Sequence, residues 1–145
     1  MPRATGAKDA KVSENQVARR VLDAAFEVHT TLGPGLLESV YEVILAHELR
    51  KAGFSVERQK AIPIHYDGLK FEEGFRADLV VDGIVIVELK SVQALSAVHA
   101  KQVLTQLRLA NCRLGLLINF GEVHLKNGIK RIVNGLDEDR EEISF

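Results

Sequence analysis

The sequence predicts a single α/β domain in which helices flank a mixed sheet. Two segments with apolar residues at helical spacing come first, and three segments with strand-like alternation follow them. A further helical segment and two more strand-like segments complete the order ααβββαββ. Tight hairpins make the first three strands antiparallel, whereas the later helix lets the fourth strand return by a crossover that can run parallel to a neighbour.

Caps and apolar stripes mark the two N-terminal helices. Ser13-Glu14-Asn15-Gln16 matches a capping box and predicts a helix that ends near residue 31, before the turn Gly33-Pro34-Gly35. The second predicted helix covers residues 37–52, and Gly53 stops it. The predicted buried stripes are Val17, Val21, Ala24, Ala25 and Val28 in the first helix, and Leu37, Val40, Tyr41, Ile44, Leu45 and Leu49 in the second.

The strand-like segments are joined by turn signals. Asp67-Gly68 and Asp82-Gly83 separate apolar runs, which is a strong hairpin signal. Ser96 can cap a helix that continues to about Ala110. A short hairpin around Lys126-Asn127-Gly128 joins the last two strands. The predicted strands are residues 54–66, 69–81, 84–90, 114–120 and 129–133.

Composition limits the classes of protein that are compatible with this chain. It has 19 Lys and Arg against 20 Asp and Glu, a net charge of −1, which argues against a strongly basic nucleic-acid coating protein but allows a local basic patch. With no long apolar run and no apolar N-terminal segment, we expect a cytoplasmic protein without a membrane partner. We expect a flexible tail over residues 1–12, one domain over 13–136 and an acidic tail over 137–145.

The stretch from Asp78 to Lys90 carries the clearest chemistry. Asp78 lies near the end of one apolar run, and Glu88 and Lys90 share one face of the next strand. Charges on such apolar strands need a reason, because an unpaired buried charge is costly. Two acids and a lysine on one sheet face can hold a divalent cation and activate water, which is the chemistry of metal-dependent phosphodiester hydrolysis.

The register of the hairpin decides whether Asp78 joins that face. A two-residue turn at Asp82-Gly83 would direct Asp78 away from Glu88. A three-residue loop, Val81-Asp82-Gly83, would pair Asp78 with Ile86 and place it on the face of Glu88. We predict this three-residue loop or an equivalent bulge, with Gly83 in the left-handed conformation.

Ligand chemistry suggests a role for each group. Asp78 and Glu88 are hard oxygen ligands suited to Mg²⁺ or Mn²⁺, and the backbone carbonyl of Leu89 can add a third ligand. Lys90 would orient or help to deprotonate the attacking water and offset charge in the transition state. The alternative is an exposed Glu-Lys pair with Asp78 as a surface acid, because this spacing alone is a loose pattern.

Further motifs accompany these residues. They are Gly35-Leu36-Leu37-Glu38-Ser39-Val40-Tyr41, then Asp78, Glu88-Leu89-Lys90 and Gln102. With them, the sequence from about residue 17 to 133 resembles the PD-(D/E)xK nuclease superfamily, and within it the family named for G-x-x-E-x-x-Y. The resemblance implies a restriction-endonuclease-like fold and Mg²⁺- or Mn²⁺-dependent cleavage of DNA or RNA. Ala77 stands where the motif's name has proline.

The resemblance also assigns supporting residues. Glu38 resembles the helix glutamate that assists metal or water, although an acid in a first helical turn is also favoured by the helix dipole. Gln102 aligns with the glutamine of a Q-x-x-x-Y element, in which Gln106 replaces the tyrosine. Tyr41 is either core with a polar tip, which we favour, or a hydrogen-bond partner of the site. Glu42 is expected to be a solvated helix acid.

Several side chains are candidate substrate contacts. His99, Gln102 and Gln106 share one side of a helix, either as a nucleic-acid contact or as an ordinary polar stripe. Arg76 could touch phosphate, or it could pair with Asp78 or Glu73. Tyr41 completes this set as a candidate.

A binding or assembly module with the same fold and no activity is the rival hypothesis. The domain is small and not basic, whereas phosphate binding draws on Lys and Arg. Two groups of cations could form patches, and they could equally be ordinary surface charges. A homodimer is a further alternative, because one small domain cuts one strand at a time. The two groups are Arg50, Lys51, Arg58 and Lys60, and Lys101 and Arg108.

Overall fold

The computed structural model describes residues 13–136, which form a five-stranded mixed sheet flanked by helices. The elements are α1 (Glu14–Leu32), α2 (Glu38–Lys51), β1 (Val56–Tyr66), β2 (Leu69–Val81), β3 (Val85–Lys90), α3 (Ala97–Ala110), β4 (Leu114–Asn119) and β5 (Ile129–Val133), with a 3₁₀ turn at Leu125–Gly128. The predicted order and fold class are confirmed. The two predicted tails lie outside the described residues.

The strands lie in the order β1-β2-β3-β4-β5. The first three form an antiparallel meander, β4 returns parallel to β3 after α3, and β5 is antiparallel to β4. One apolar core lies between the sheet and the helices α1 and α2. A smaller core on the other face holds Val103 and Leu107 of α3. None of the helices in the described range is long and apolar enough to cross a membrane.

Helix α1 follows its sequence signals closely. The Ser13 hydroxyl accepts the Gln16 N–H at 3.1 Å, and the Gln16 side chain accepts the Ser13 N–H at 2.9 Å, so the predicted capping box is confirmed. Of the predicted stripe, Ala24 is partly buried and the other members are buried. Each buried Val side chain stabilises the fold by roughly 1.5–3 kcal/mol.

The predicted stripe of α2 is wrong at its N-terminal end. Leu37 is 72% exposed and Val40 is 37% exposed, whereas Tyr41, Leu45 and Leu49 are buried as predicted. The buried side is rotated toward Glu42, which is only 5% exposed. The prediction that Glu42 is a solvated acid is therefore also wrong.

Strand β2 extends well beyond the strand that follows it. It pairs with β3 only over residues 79–81, whereas its pairing with β1 covers residues 69–81. Asp67 and Gly68 both have positive φ, as a tight two-residue hairpin turn requires, so this predicted hairpin is confirmed. Asp78 is the first β2 residue beyond the pairing with β3, and it lies where the two strands separate.

Candidate active site

The β2–β3 hairpin differs in register from the prediction. Val81 pairs with Val85, so the loop contains Asp82, Gly83 and Ile84 instead of residues 81–83. Asp82 and Gly83 both have positive φ, and the Ile84 N–H donates to the Val81 carbonyl at 3.1 Å. The three-residue loop and the left-handed Gly83 are confirmed, but the loop is displaced by one residue because Asp82 also adopts the left-handed conformation.

This register determines which residues oppose each other. The predicted pairing of Asp78 with Ile86 is wrong, because Val80 pairs with Ile86. Continuing the observed register by one residue, beyond Leu79 and Val87, places Asp78 across from Glu88. The Asp78 carboxylate accepts the N–H of Leu89, the neighbour of Glu88, and its charge raises the pKa of Glu88, so the two acids lie close together.

Asp78 is held by donors from both neighbouring strands. Its Oδ2 accepts the Leu89 N–H at 2.9 Å, and its Oδ1 accepts the Gln59 side-chain amide at 3.2 Å. Burial raises the pKa of Asp78, and the hydrogen bond from Leu89 opposes that rise. The charges of Glu42 and Glu38 raise the pKa further. Hydrogen bonds therefore hold the Asp78 carboxylate in place, but no cation within residues 13–136 is among the groups that lower its pKa.

Glu88 is only partly compensated. Its side chain is 15% exposed, and its Oε2 lies 3.8 Å from the Lys90 Nζ. Its Oε1 is buried and accepts no hydrogen bond from residues 13–136. Burial, and after it the charge of Asp78, raises the pKa of Glu88 from 4.5 to about 7, while Lys90 lowers it. A buried acceptor of this kind calls for a bound cation, a water or a proton.

Glu38, in the first turn of α2, is the third member of an acidic cluster that it forms with Asp78 and Glu88. It is exposed, and its charge raises the pKa of both Asp78 and Glu88. The Ser91 hydroxyl, next to Lys90, donates to the Leu36 carbonyl at 2.7 Å and ties the end of β3 to the loop before α2. An open cavity of about 710 Å³ lies between this loop, residues 91–92 and Gly121.

Tyr41 holds the loop before α2 in place through its hydroxyl. It is fully buried, and its ring stacks on Phe120 with centroids 4.4 Å apart. Its hydroxyl donates to the Gly33 carbonyl and accepts the Leu36 N–H. The structure thus places Tyr41 as core with a polar tip, one turn after Glu38, and offers it no exposed surface for a substrate.

Two residues near Asp78 were missed by sequence reasoning. Glu42 accepts hydrogen bonds from Arg58 at 3.1 Å and from Gln59 at 2.7 Å, which makes its burial tolerable. Its position four residues after Glu38 was a signal that both lie on one side of α2. No comparable signal identified Gln59, because its contact with Asp78 depends on strand pairing.

Within the described residues, the candidate side chains of α3 form no hydrogen bond with the acidic cluster. Gln102 is exposed, and no hydrogen bond joins it to the cluster in the described part of the chain. Gln106 is half-buried, and its Oε1 accepts no hydrogen bond from that same part. His99 accepts the N–H of Ser96 at 3.1 Å and so helps to cap α3, which Ser96 was predicted to begin.

Arg76 takes one of its predicted alternatives. Its guanidinium pairs with Glu73 at 2.7 Å and donates to the Gln59 carbonyl at 3.0 Å. The side chain is about half exposed. Its charge is therefore engaged within the hairpin by Glu73 and not by Asp78.

The donor set fits a small divalent cation with a partly aqueous shell. Residues 13–136 contain no group of three His, Cys, Asp or Glu side chains arranged to hold a metal ion. Mg²⁺, however, is commonly bound by one or two carboxylates and keeps several waters. The unsatisfied Glu88 Oε1 and the raised pKa values of Asp78 and Glu88 are conditions that such a cation would relieve.

Comparison with known families places most of the chain in one superfamily. Residues 15–132 match the family model of the PD-(D/E)XK nuclease superfamily, and the matched segment contains every sheet strand except the last residue of β5. No curated protein and no solved structure matches the chain. Because the family match covers most of its length, this chain belongs to the PD-(D/E)XK nuclease superfamily.

Proposed function

We propose that this protein is a divalent-metal-dependent nuclease of the GxxExxY group that hydrolyses phosphodiester bonds in DNA or RNA. Its superfamily suggests a nuclease with a nucleic-acid substrate, and nucleases of this superfamily generally use divalent metals. The observation that carries the proposal is the juxtaposition of Asp78, the only partly compensated Glu88 and Lys90 where β2 separates from β3.

Asp78 and Glu88 would hold Mg²⁺ or Mn²⁺ together with the backbone carbonyl of Leu89, and Glu38 would assist the metal or its water. When bound, the ion supplies Lewis-acid polarisation of the phosphate and a more acidic water. Burial favours protonation of Glu88, and its raised pKa makes the affinity for the cation depend on pH near neutrality.

Lys90 supplies the positive charge beside Glu88. Its side chain is 22% exposed and its ammonium lies 3.8 Å from Glu88, so it can donate hydrogen bonds both to a carboxylate and to a water or phosphate oxygen. In this position Lys90 orients the attacking water and offsets the charge that develops on the phosphate.

The exposed side of α3 is the surface that we assign to the phosphate backbone. Lys101 and Arg108 are exposed, share one side of the helix, and form no ion pair within residues 13–136. Arg58 and Lys60, from the other group of cations, are paired with glutamates. Gln102 lies next to Lys101 and would contact the same strand of nucleic acid.

A silent binding or assembly module is the weaker alternative. It would account for the net charge of −1. It gives no reason for a buried carboxylate oxygen that lacks a donor beside a second acid, which costs stability. A homodimer and a cytoplasmic location stay predictions from the sequence.

Calorimetric titration with Mn²⁺ tests the proposal on the wild type, Glu88→Ala and the control Glu72→Ala, which removes an exposed acid of the β1–β2 hairpin. We expect the wild type and the control to bind Mn²⁺ and to cleave DNA or RNA substrates, and Glu88→Ala to lose both properties while remaining folded. Wild-type protein that binds no Mn²⁺, with or without nucleic acid, would refute the metal centre.

A further inference from the structure

Gln59 adopts a backbone conformation that is unusual for its residue type. Its φ is 50°, in the left-handed region that costs a residue with a Cβ roughly 1–2 kcal/mol. The other residues besides glycine with positive φ in the described chain are Asp67, Asp82 and Asn111. Those three are Asp or Asn at turns or a helix end, where this conformation is tolerated. Gln59 is the exception, inside β1.

At Gln59, the alternation of β1 side chains between the two faces of the sheet changes phase. Val56 and Ile62 are six residues apart and should share a face, but Val56 packs in the core under α1 and α2 and Ile62 in the core under α3. Leu79 and Ala77 show the same reversal on β2. The reversal is centred on Gln59 and its opposite residue, Asp78.

The side chain of Gln59 uses this conformation to join two acids. Its amide donates to Glu42 Oε1 at 2.7 Å and to Asp78 Oδ1 at 3.2 Å. Glu42 is fixed in turn by Arg58, whose guanidinium lies 3.0 Å from Glu42 Oε2. Gln59, Glu42 and Arg58 together therefore connect α2 and β1 to Asp78.

A neutral donor has a specific advantage at this position. Arg58 already compensates the charge of Glu42, so burial of that acid does not require Gln59. A lysine or arginine in place of Gln59 would neutralise Asp78 and compete with a cation for it. An amide instead orients the carboxylate and leaves its negative charge available, as is common for groups that orient metal ligands.

We propose that Gln59 is a positioning residue that orients the Asp78 carboxylate for a divalent cation, and that Glu42 and Arg58 hold Gln59 in place. This inference rests on the proposed function, because it assumes that Asp78 binds the cation. Loss of such an orienting partner typically lowers metal affinity by about 10- to 100-fold. The backbone strain at Gln59 then serves the site as well as the reversal of the strand faces.

Gln59→Gly tests this inference directly, because glycine accepts positive φ without strain but has no amide. The matched control is Asp67→Gly, which relieves a φ of 49° at the turn of the same hairpin. Mn²⁺ affinity is measured by calorimetry, and thermal unfolding is measured in EDTA. We expect Gln59→Gly to bind Mn²⁺ about 10- to 100-fold more weakly without a lower Tm, and Asp67→Gly to bind normally.

Gln59→Asn is the second variant, since asparagine tolerates the conformation but its amide is one methylene shorter. It should also bind Mn²⁺ more weakly. If either folded Gln59 variant binds Mn²⁺ as the wild type does, the role of Gln59 is overturned and the proposed function stands. If the wild type itself binds no Mn²⁺, the metal centre of the proposed function fails and this inference fails with it.

Discussion

Glu88 carries a charge that the folded protein accommodates poorly without a cation. Its pKa is about 7 in the folded state, against an ordinary value of 4.5, mainly because of burial and then because of Asp78. The unfolded chain therefore releases this proton at lower pH than the folded chain does. Below pH 4.5, Glu88 therefore does not lower the free energy of unfolding. As the pH rises through about 7, ionisation of Glu88 lowers that free energy progressively.

The first prediction concerns this pH dependence. In EDTA, Glu88 should lower the free energy of unfolding between pH 4.5 and pH 8 by on the order of 3 kcal/mol. Glu88→Gln should be about as stable as the wild type at pH 4.5 and more stable at pH 8. Urea denaturation at several pH values measures the difference. Parallel profiles for the two proteins would contradict the assigned burial of this charge.

The second prediction separates the role of Lys90 from those of the acids. Lys90→Ala should reduce cleavage by about 100-fold or more, which is typical of a lost charge-stabilising donor. Mn²⁺ binding should persist, because the lysine repels the cation and is not a ligand. Single-turnover cleavage and calorimetry measure the two properties. Lys70→Ala, an exposed lysine of the hairpin, should change neither of them.

At the scale of elements, the site is assembled from three segments. The β2–β3 hairpin supplies Asp78 and Glu88, and the loop before α2 brings Glu38 to them. Strand β1 contributes the amide of Gln59. The loop before α2 has no helix or strand of its own to hold it. Its position therefore depends on the hydroxyl of Tyr41 and on Ser91.

The third prediction tests this support with the two tyrosines of the chain. Tyr41→Phe should destabilise the fold by about 1 kcal/mol, because it removes the hydrogen bonds of the Tyr41 hydroxyl with the Gly33 carbonyl and the Leu36 N–H, which are only partly buried. It should also slow cleavage, because Glu38 follows the loop. Tyr66→Phe is the control, since Tyr66 is 73% exposed. Equal stability of the two variants in denaturant would refute the support by Tyr41.

At the scale of the whole molecule, the cations are distributed unevenly. Those of the β1–β2 hairpin, Arg58, Lys60, Lys70 and Arg76, are all in ion pairs. Lys101 and Arg108 on α3 form none within the described range. A net charge of −1 therefore conceals a surface that can approach a polyanion, with the acids concentrated elsewhere.

The fourth prediction follows from this asymmetry. The double variant Lys101→Ala and Arg108→Ala should weaken nucleic-acid binding for all sequences alike. It should reduce the dependence of log K on log salt by about one for each phosphate contact that is lost. Fluorescence anisotropy in Ca²⁺ or EDTA at several salt concentrations measures this. Lys60→Ala, which removes a cation already paired with Glu57, should leave the salt dependence unchanged.

Local patterns predicted most of the elements. The bounds of β2 and β5, the capping box of α1 and the turn at Asp67-Gly68 agree with the sequence because neighbouring residues encode them. The alternation of side chains also predicted Asp78 on the face of Glu88, although the register differs by two residues and the faces of β2 reverse between Ala77 and Leu79. Periodicity of two determines a face, and it does not determine which residue lies opposite which.

The order of elements, the fold class and the candidate site residues were thus readable from local sequence patterns. The inward position of Glu42 on α2, the exposure of Leu37 and the contacts of Gln59 with Glu42 and Asp78 became visible in the folded chain alone. The reason is physical. Apolar spacing and turn chemistry act over a few residues, whereas the burial of Glu42 depends on Arg58 and Gln59, which only folding brings beside it.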